Sequence, residues 1–346
     1  MTDLHVVLPG DVDDPAAPSG GNRYDREVCR RLTGAGWVVR EHAVAGSWPF
    51  PDTGTRTALA AALAEVPDGG LVLLDGLAAC AAPDVVAPEA KRLRPVVLVH
   101  LPLGDETGLS PADAALLTAR EAETLRAAAG VVATSAAAAR RLAQLHGLTG
   151  VAVAEPGVDP APAAQPSPGG TRLLCVAAVT PRKGHDVLLD ALGRLGGLDW
   201  ECRCVGAAAS PWARELRDPT GRVVFAGPRT GAELAAEYAA ADLLVLPSRA
   251  ETYGMVVTEA LARAVPVVAS AADGVPEALG MDPRGARPGL LVPPGDPAAL
   301  TAALRRWLTE PDLRRDLRAA AAGRRATLTG WDTTARRITD ILQETR

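Results

Sequence analysis

An α/β protein of two doubly wound parallel-sheet domains is what this sequence predicts. Three observations carry the expectation: short apolar runs alternate with longer segments of helical period, a proline-rich stretch interrupts the pattern in mid-chain, and the same alternation then restarts. At ~150 residues per domain, a chain of 346 residues is long enough for two, and its 48% apolar content can fill two cores.

In the first half the expected strands are Leu4 to Leu8, Val38 to Val44, Leu71 to Leu74, Val96 to Val99, Val131 to Thr134 and Val151 to Val153. Between the first two, Tyr24, Val28 and Leu32 recur every fourth residue and mark one face of a helix. Residues 155–170, EPGVDPAPAAQPSPGG, hold five prolines and no apolar period, so they read as an extended linker. The pattern resumes with a strand Leu173 to Val179 and a helix His185 to Leu195. Further strands follow at Cys202 to Val205, Val223 to Phe225, Leu243 to Leu246, Val265 to Ala269 and Leu290 to Val292. After Asp296 the chain turns helical around Leu300, Leu304 and Leu308, then Leu313 and Leu317. A last helix runs from Trp331 to Leu342, with Asp332, Thr333 and Thr334 as its expected start. The expected domains are therefore 1–158, completed by a C-terminal helix 331–346 that crosses back to it, and 170–328.

Composition removes several function classes. Lys and Arg number 36 against 41 Asp and Glu, a net charge of -5, so no polyanion-binding surface is expected and nucleic acid is not a partner. No basic start followed by an apolar core is present, nor an apolar run of ~18 residues; the expectation is a cytoplasmic protein. The five cysteines form neither a C-x-x-C pair nor an even framework, which fits reduced thiols. Cys202 and Cys204 have strand spacing and share a face, but zinc wants four ligands and none cluster nearby in the sequence, so no metal site is expected. Among many arginines only Lys91 and Lys183 are lysines, which marks Lys183 as a candidate.

The dinucleotide fingerprint, the Walker A loop, the G-x-S-x-G elbow and H-E-x-x-H are all absent, which argues against a dehydrogenase, a P-loop NTPase, a serine hydrolase and a zinc protease. In DLLVLPSRAETYGMVVTEALARAVPVVAS, from Asp242, a strand enters a polar loop, Gly254 allows a close turn, and a helix starts near Met255 with free amides. Glu251 and Glu259 lie on this segment. Two carboxylates beside amides suited to phosphate make sense if they hold neutral hydroxyls, as on a ribose and a sugar ring.

At these residues the sequence resembles the retaining glycosyltransferases of family 4, which have the GT-B fold: two Rossmann-like domains facing across a cleft. The resemblance rests on E-x7-E at Glu251 and Glu259, on Gly274 and Glu277 in DGVPE, and on SGGNRYDREV, VVLVH, TPRKGHDVLLDAL, EPGVD and WDTTARRITDIL in their order. It implies that the second domain binds a nucleotide diphosphate sugar, UDP- or GDP-linked, as substrate, and the first a small-molecule or lipid-linked acceptor. By similarity, Glu259 bonds the ribose. Glu251 and the amides of Thr252, Tyr253, Gly254, Met255 and Val256 face the donor sugar and diphosphate, Lys183 with Arg182 neutralises the diphosphate, and Pro228 and Arg229 lie along the base. Gly20 and Gly21 approach the β-phosphate, His100 orients the sugar and leaving group, and Asn22, Trp48 and Arg56 are acceptor candidates.

No cofactor and no metal are implied. The expected reaction is a same-face transfer in which the leaving phosphate accepts the acceptor's proton, with domain closure hinged at 155–170 and before Trp331. One position departs from the family: its usual diphosphate arginine corresponds to Ala178, in Val176-Ala177-Ala178-Val179. The alternatives kept are a GT-B nucleotide-sugar epimerase or phosphorylase, and a catalytically silent nucleotide-sugar binder. Three features have plainer readings: Asp11 and Asp13 as turn chemistry, His185 as a surface helix residue, and the arginine-rich 313–326 as a solvated helix face with no membrane role indicated.

Overall fold

A computed structural model describes residues 2–16, 18–208 and 210–345. The chain forms two compact units, one of Met1–Asp14, Ser19–Gly157 and Trp331–Arg346, the other built on Val158–Gly330. In the first, the order is β1 (Thr2–Pro9), α1 (Gly20–Gly34), β2 (Trp37–Val44), α2 (Thr53–Ala64), β3 (Leu71–Asp75), α3 (Gly76–Ala81), α4 (Pro83–Glu89), β4 (Arg94–Val99), α5 (Pro111–Ala127), β5 (Gly130–Ala133), α6 (Ala136–His146) and β6 (Ala152–Val153). All its strands pair in parallel, in the order β2-β1-β3-β4-β5-β6. A parallel sheet covered by helices on both faces buries its strands throughout, and every residue of β3 is buried.

The second unit repeats the plan with β7 (Arg172–Val176), α7 (His185–Gly193), β8 (Glu201–Val205), α8 (Pro211–Glu215), β9 (Val223–Gly227), α9 (Gly231–Ala240), β10 (Leu243–Leu246), α10 (Met255–Leu261), β11 (Val267–Ser270), α11 (Val275–Leu279) and β12 (Gly289–Val292). Helices α12 (Pro297–Thr309) and α13 (Pro311–Arg325) complete it. Its parallel sheet runs β12-β11-β10-β7-β8-β9. Trp307 anchors α12, fully buried, with its indole N–H donating to the Gly170 carbonyl at 2.7 Å.

The last helix, α14 (Trp331–Glu344), belongs to the first unit. Its face of Trp331, Ala335, Ile338 and Leu342 is buried, and the Trp331 ring meets Tyr24 of α1 edge-on at 5.7 Å. Tyr24 in turn donates its hydroxyl to the Ala154 carbonyl at 2.9 Å.

Several sequence expectations need correction. β7 stops at Val176 rather than Val179, because the chain turns back at Thr180, whose N–H donates to the Ala178 carbonyl. β11 begins at Val267 and not at Val265: Pro266 has no N–H to give the ladder, and Ala264 before it sits at φ 57°. α14 starts at Trp331, ahead of its expected cap residues, and Thr334 instead donates to the Glu155 carbonyl at 2.7 Å. His185 is fully buried. Its Nε2 lies 3.8 Å from Cys175 Sγ, and with Cys204 the three ligand atoms are within 4.8 Å of one another. The clustering absent from the linear sequence is produced by register, which sets Cys175 opposite Cys204. Three ligands fall short of the four of a structural zinc site. Asp13 pairs with Arg26, whose Nε donates to it at 2.7 Å.

Replacing Ile338 with alanine removes a fully buried side chain from α14. The expected loss is about 2–5 kcal/mol of unfolding free energy, read by denaturant titration; a change near zero means that α14 does not hold the first unit together.

Candidate active site

β7 and β10 are neighbours in the second sheet, so the loops leaving their carboxyl ends run side by side. After β7 the chain makes a tight turn at Pro181–Lys183 and passes Gly184 at φ 69°. A Cβ there would lie 2.2 Å from the Pro247 carbonyl oxygen, so glycine is required for the two loops to close on each other. Arg249 ties them further. Its N–H donates to the Arg182 carbonyl at 2.7 Å, and its guanidinium grips Asp186 at 2.8 and 2.6 Å.

This closure brings Lys183 Nζ to Glu251 Oε1 at 2.5 Å, and the Ser248 hydroxyl donates to the same oxygen at 2.8 Å. Both partners are largely buried, 18% and 8% exposed. Burial by itself pushes the Glu251 carboxyl up, but the charges of Lys183 and Arg182, with the two hydrogen bonds, outweigh it and hold the group below its usual range. Asp273 fixes the loop from the other side by accepting the Glu251 N–H at 3.2 Å, while the Gly274 N–H donates to the Glu251 carbonyl at 2.9 Å.

Gly254 stands at φ 90° as the cap of α10, where an L side chain is strained. The amides of Gly254, Met255 and Val256 have no hydrogen-bond partner among the described residues. α10 has only seven residues, so positive charge at this spot comes from Lys183 and Arg182 and the helix adds only its amides. Thr252 is half-buried, and Tyr253 packs into the core below. Further along α10, Glu259 accepts the Tyr238 hydroxyl at 2.7 Å, and the Arg263 guanidinium covers the Tyr238 ring at 4.8 Å. Arg229, beyond Pro228 and the end of β9, reaches Glu233 at 3.4 Å. Ala178 is exposed just past β7.

The first unit gathers a second group at the ends of its central strands. His100 follows β4, Asp75 ends β3, and Asp25 lies in α1. His100 Nε2 is 2.8 Å from Asp25 Oδ1 and 3.6 Å from Asp75 Oδ2. Asp75 also caps α3, its Oδ1 accepting the amides of Leu77 and Ala78 at 2.8 and 3.2 Å. Burial opposes a charge on His100, yet Asp25 and then Asp75 lift it to about 9. Gly21, in the first turn of α1, lies against this ring: a Cβ there would sit 3.1 Å from His100 Cδ2, a tight contact.

Gly20 opens α1 and is exposed. Asn22 is held by the Ser19 cap and reaches the Asp11 carbonyl at 3.3 Å. Trp48 donates to the Val44 carbonyl at 3.2 Å and packs on the core, and Arg56 pairs with Asp84, so both already have structural partners.

The structure thus groups Lys183, Arg182, Glu251 and residues 252–256 in one place, and Gly21 with His100 in another. Sequence reasoning missed Ser248, Tyr238, Asp25 and Asp75. Asp75 carried a signal, as the acid closing the apolar run LVLLD; Tyr238 carried none, since only packing brings α9 to α10.

Lys183→Met removes the cation in contact with the buried Glu251 carboxylate and leaves it the Ser248 hydroxyl and the charge of Arg182, at an expected cost of about 3–5 kcal/mol at neutral pH. In the wild type, the stabilisation from this lowered carboxyl is present above its unfolded value and is lost as pH falls through the folded one. The gap between variant and wild type should therefore close in acid, as denaturant titrations at several pH values will show; a pH-independent gap means the pair is not the cause.

The sequence profile described as "Glycosyl transferases group 1" matches residues 170–310, the stretch that contains Lys183, Glu251 and Glu259. The chain is 34% identical over 266 residues to a D-inositol 3-phosphate glycosyltransferase of Kineococcus radiotolerans, covering 64% of this chain and 58% of that protein. A D-inositol 3-phosphate glycosyltransferase of Thermomonospora curvata is 33% identical over 245 residues, 61% of this chain and 56% of the other. The chain thus spans little more than half the length of these curated relatives.

Among solved structures, a sucrose-phosphate synthase from Thermosynechococcus elongatus superposes with a TM-score of 0.79 at 21% identity, covering 99% of each chain. Anabaena HepE in complex with UDP-glucose gives 0.76 at 18% identity, over 99% of this chain and 100% of that one. These likenesses give the fold, GT-B with two Rossmann-like domains, and the profile makes residues 170–310, most of the second unit, similar to the group 1 glycosyltransferases.

Proposed function

We propose that this chain is a retaining glycosyltransferase that moves a hexose-type sugar from a nucleotide diphosphate sugar to a small-molecule or lipid-linked acceptor, without a metal or cofactor. The observation that carries the reading is the buried Lys183–Glu251 pair beside three unpartnered amides, all inside the segment matched by the family profile. A cation fixed by a carboxylate at the mouth of a parallel sheet is suited to an entering diphosphate, which takes the lysine while Glu251 turns to sugar hydroxyls. The UDP-glucose complex of HepE supports a nucleotide-sugar donor, and the names of the curated relatives support glycosyl transfer.

The bond from anomeric carbon to diphosphate oxygen breaks with positive charge growing on the ring and negative charge on the oxygen. Lys183, Arg182 and the amides of 254–256 stabilise that oxygen, with about 3 kcal/mol from each well-placed donor. The acceptor hydroxyl attacks from the same face and its proton passes to the leaving phosphate. In this reading Glu259 holds the ribose, its orientation set by Tyr238. The five cysteines are free thiols, in keeping with a reducing, cytoplasmic setting. No helix among the described residues is long and apolar enough to cross a membrane.

Ala178 favours one other reading, a silent nucleotide-sugar binder. Thermal unfolding in the presence of UDP, GDP, TDP and their sugar conjugates tests the donor site. At ~100 times Kd a ligand adds about 2.7 kcal/mol, and the shift is expected to vanish in Glu259→Ala and Lys183→Ala. No shift with any nucleotide overturns the proposal. A shift without donor hydrolysis or transfer leaves the silent binder in its place.

A further inference from the structure

We infer that Asp25 and Asp75 are positioning residues that hold the His100 ring by its Nε2 edge, so that His100 enters the reaction as a cationic donor through Nδ1 and not as a base. The chemical role rests on the glycosyltransferase reading above; the clamp itself does not.

Both carboxylates converge on one nitrogen. Nε2 lies 2.8 Å from Asp25 Oδ1 and 3.6 Å from Asp75 Oδ2. A carboxylate accepts and does not donate, so Nε2 must carry the proton. The second nitrogen, Nδ1, has no hydrogen-bond partner among the described residues, and the side chain is 19% exposed. Fixing the tautomer at Nε2 therefore leaves Nδ1 as the working atom.

Charge balance decides the state of Nδ1. Asp25 is 3% exposed and Asp75 is 5%. Asp25 Oδ2 is buried with no hydrogen bond, so the ring is the group available to offset its charge. Asp75 Oδ1 is already taken by the amides of Leu77 and Ala78, which leaves Oδ2 for the ring. A neutral imidazole would leave the buried Asp25 carboxylate, one of whose oxygens has no hydrogen bond, with no cation beside it, and a protonated ring removes most of that cost.

The surroundings fix the ring's position. From α1, Tyr24 meets it edge-on at 5.3 Å and 70°, with its own hydroxyl turned to the Ala154 carbonyl. Gly21 of the same helix lies against the ring, where a Cβ would meet Cδ2 at 3.1 Å. The charged groups acting on the ring are Asp25 from α1 and Asp75 from the end of β3, and together they raise its affinity for the second proton. Burial and the neighbouring Asp25 push Asp75 up to about 7, so Asp25 is the main counter-charge of the ring.

The test is an NMR titration of protein labelled with [13C,15N]histidine, with no donor or acceptor present. The His100 signal is assigned by its loss in His100→Gln. In the wild type His100 is expected to stay protonated through neutral pH and to titrate in the alkaline range. Asp25→Asn is expected to lower the midpoint by about 1–3 units. Asp75→Asn, whose side-chain oxygen can still accept the Leu77 and Ala78 amides, lowers it by less, and serves alone if Asp25→Asn does not fold.

A neutral His100 at pH 7 in the wild type, or an unchanged midpoint in the variants, overturns the clamp. The same three ligand atoms lie within 4.8 Å of one another, so Mn2+ is added as a probe: selective broadening of His100 at low metal concentration, with loss of its second proton, overturns the cationic donor in favour of a metal ligand. In transfer assays Asp25→Asn is expected to lower kcat more than KM and to move the alkaline limb of the rate profile to lower pH. A rate that rises as His100 loses its proton overturns the donor role. An intact titration in a chain that transfers nothing leaves the clamp standing and removes only the enzymatic reading.

Discussion

Parallel pairing of β7 with β10 is the constraint on which the second unit's site depends. The register sets Leu173 opposite Leu243 and Leu174 opposite Leu244, so the two strands end together and their loops emerge side by side. Strand order changes direction at this point, since β8 follows β7 on one side and β11 follows β10 on the other. Such a switch point leaves room above the sheet for a ligand. The Gly184 backbone lying against the Pro247 carbonyl is what converts adjacent loops into a closed contact, and the Lys183–Glu251 pair is its consequence.

The first unit uses the same geometry for a different purpose. β1 and β3 are neighbours there, and β4 follows β3, so the start of α1, Asp75 and His100 come together over the sheet's central strand ends. The polarities of the two groups differ. In the second unit one carboxylate, Glu251, answers the two cations Lys183 and Arg182. In the first, two carboxylates answer one imidazole. In each group one side chain, Glu251 in the second unit and His100 in the first, is kept charged by its partners against the effect of burial.

Much of this architecture was legible in the sequence. A buried parallel strand must be apolar along its length, so runs such as LVLL and VVLV announce themselves, and a helix with one buried face shows its period, as Tyr24, Val28 and Leu32 do. Boundaries were less legible where backbone chemistry intervened: Pro266 delays β11, and the turn at Thr180 cuts β7 short. Lys183, Glu251 and Glu259 stood out because loops at strand ends concentrate polar residues in an otherwise apolar pattern.

Partnership between residues was not legible, because it depends on which strands become neighbours. His185 looked like a solvated helix residue, and its burial follows from α7 packing beside Cys175. Asp25 and Tyr238 are ordinary members of amphipathic helices until folding brings one to His100 and the other to Glu259. The sequence by itself determined the α/β class, the repeated plan and the identity of the charged residues at strand ends, since these follow from local period and composition. Tertiary structure alone decided which charges meet, because a pair such as Lys183 and Glu251, far apart along the chain, is joined only when two parallel strands lie in register.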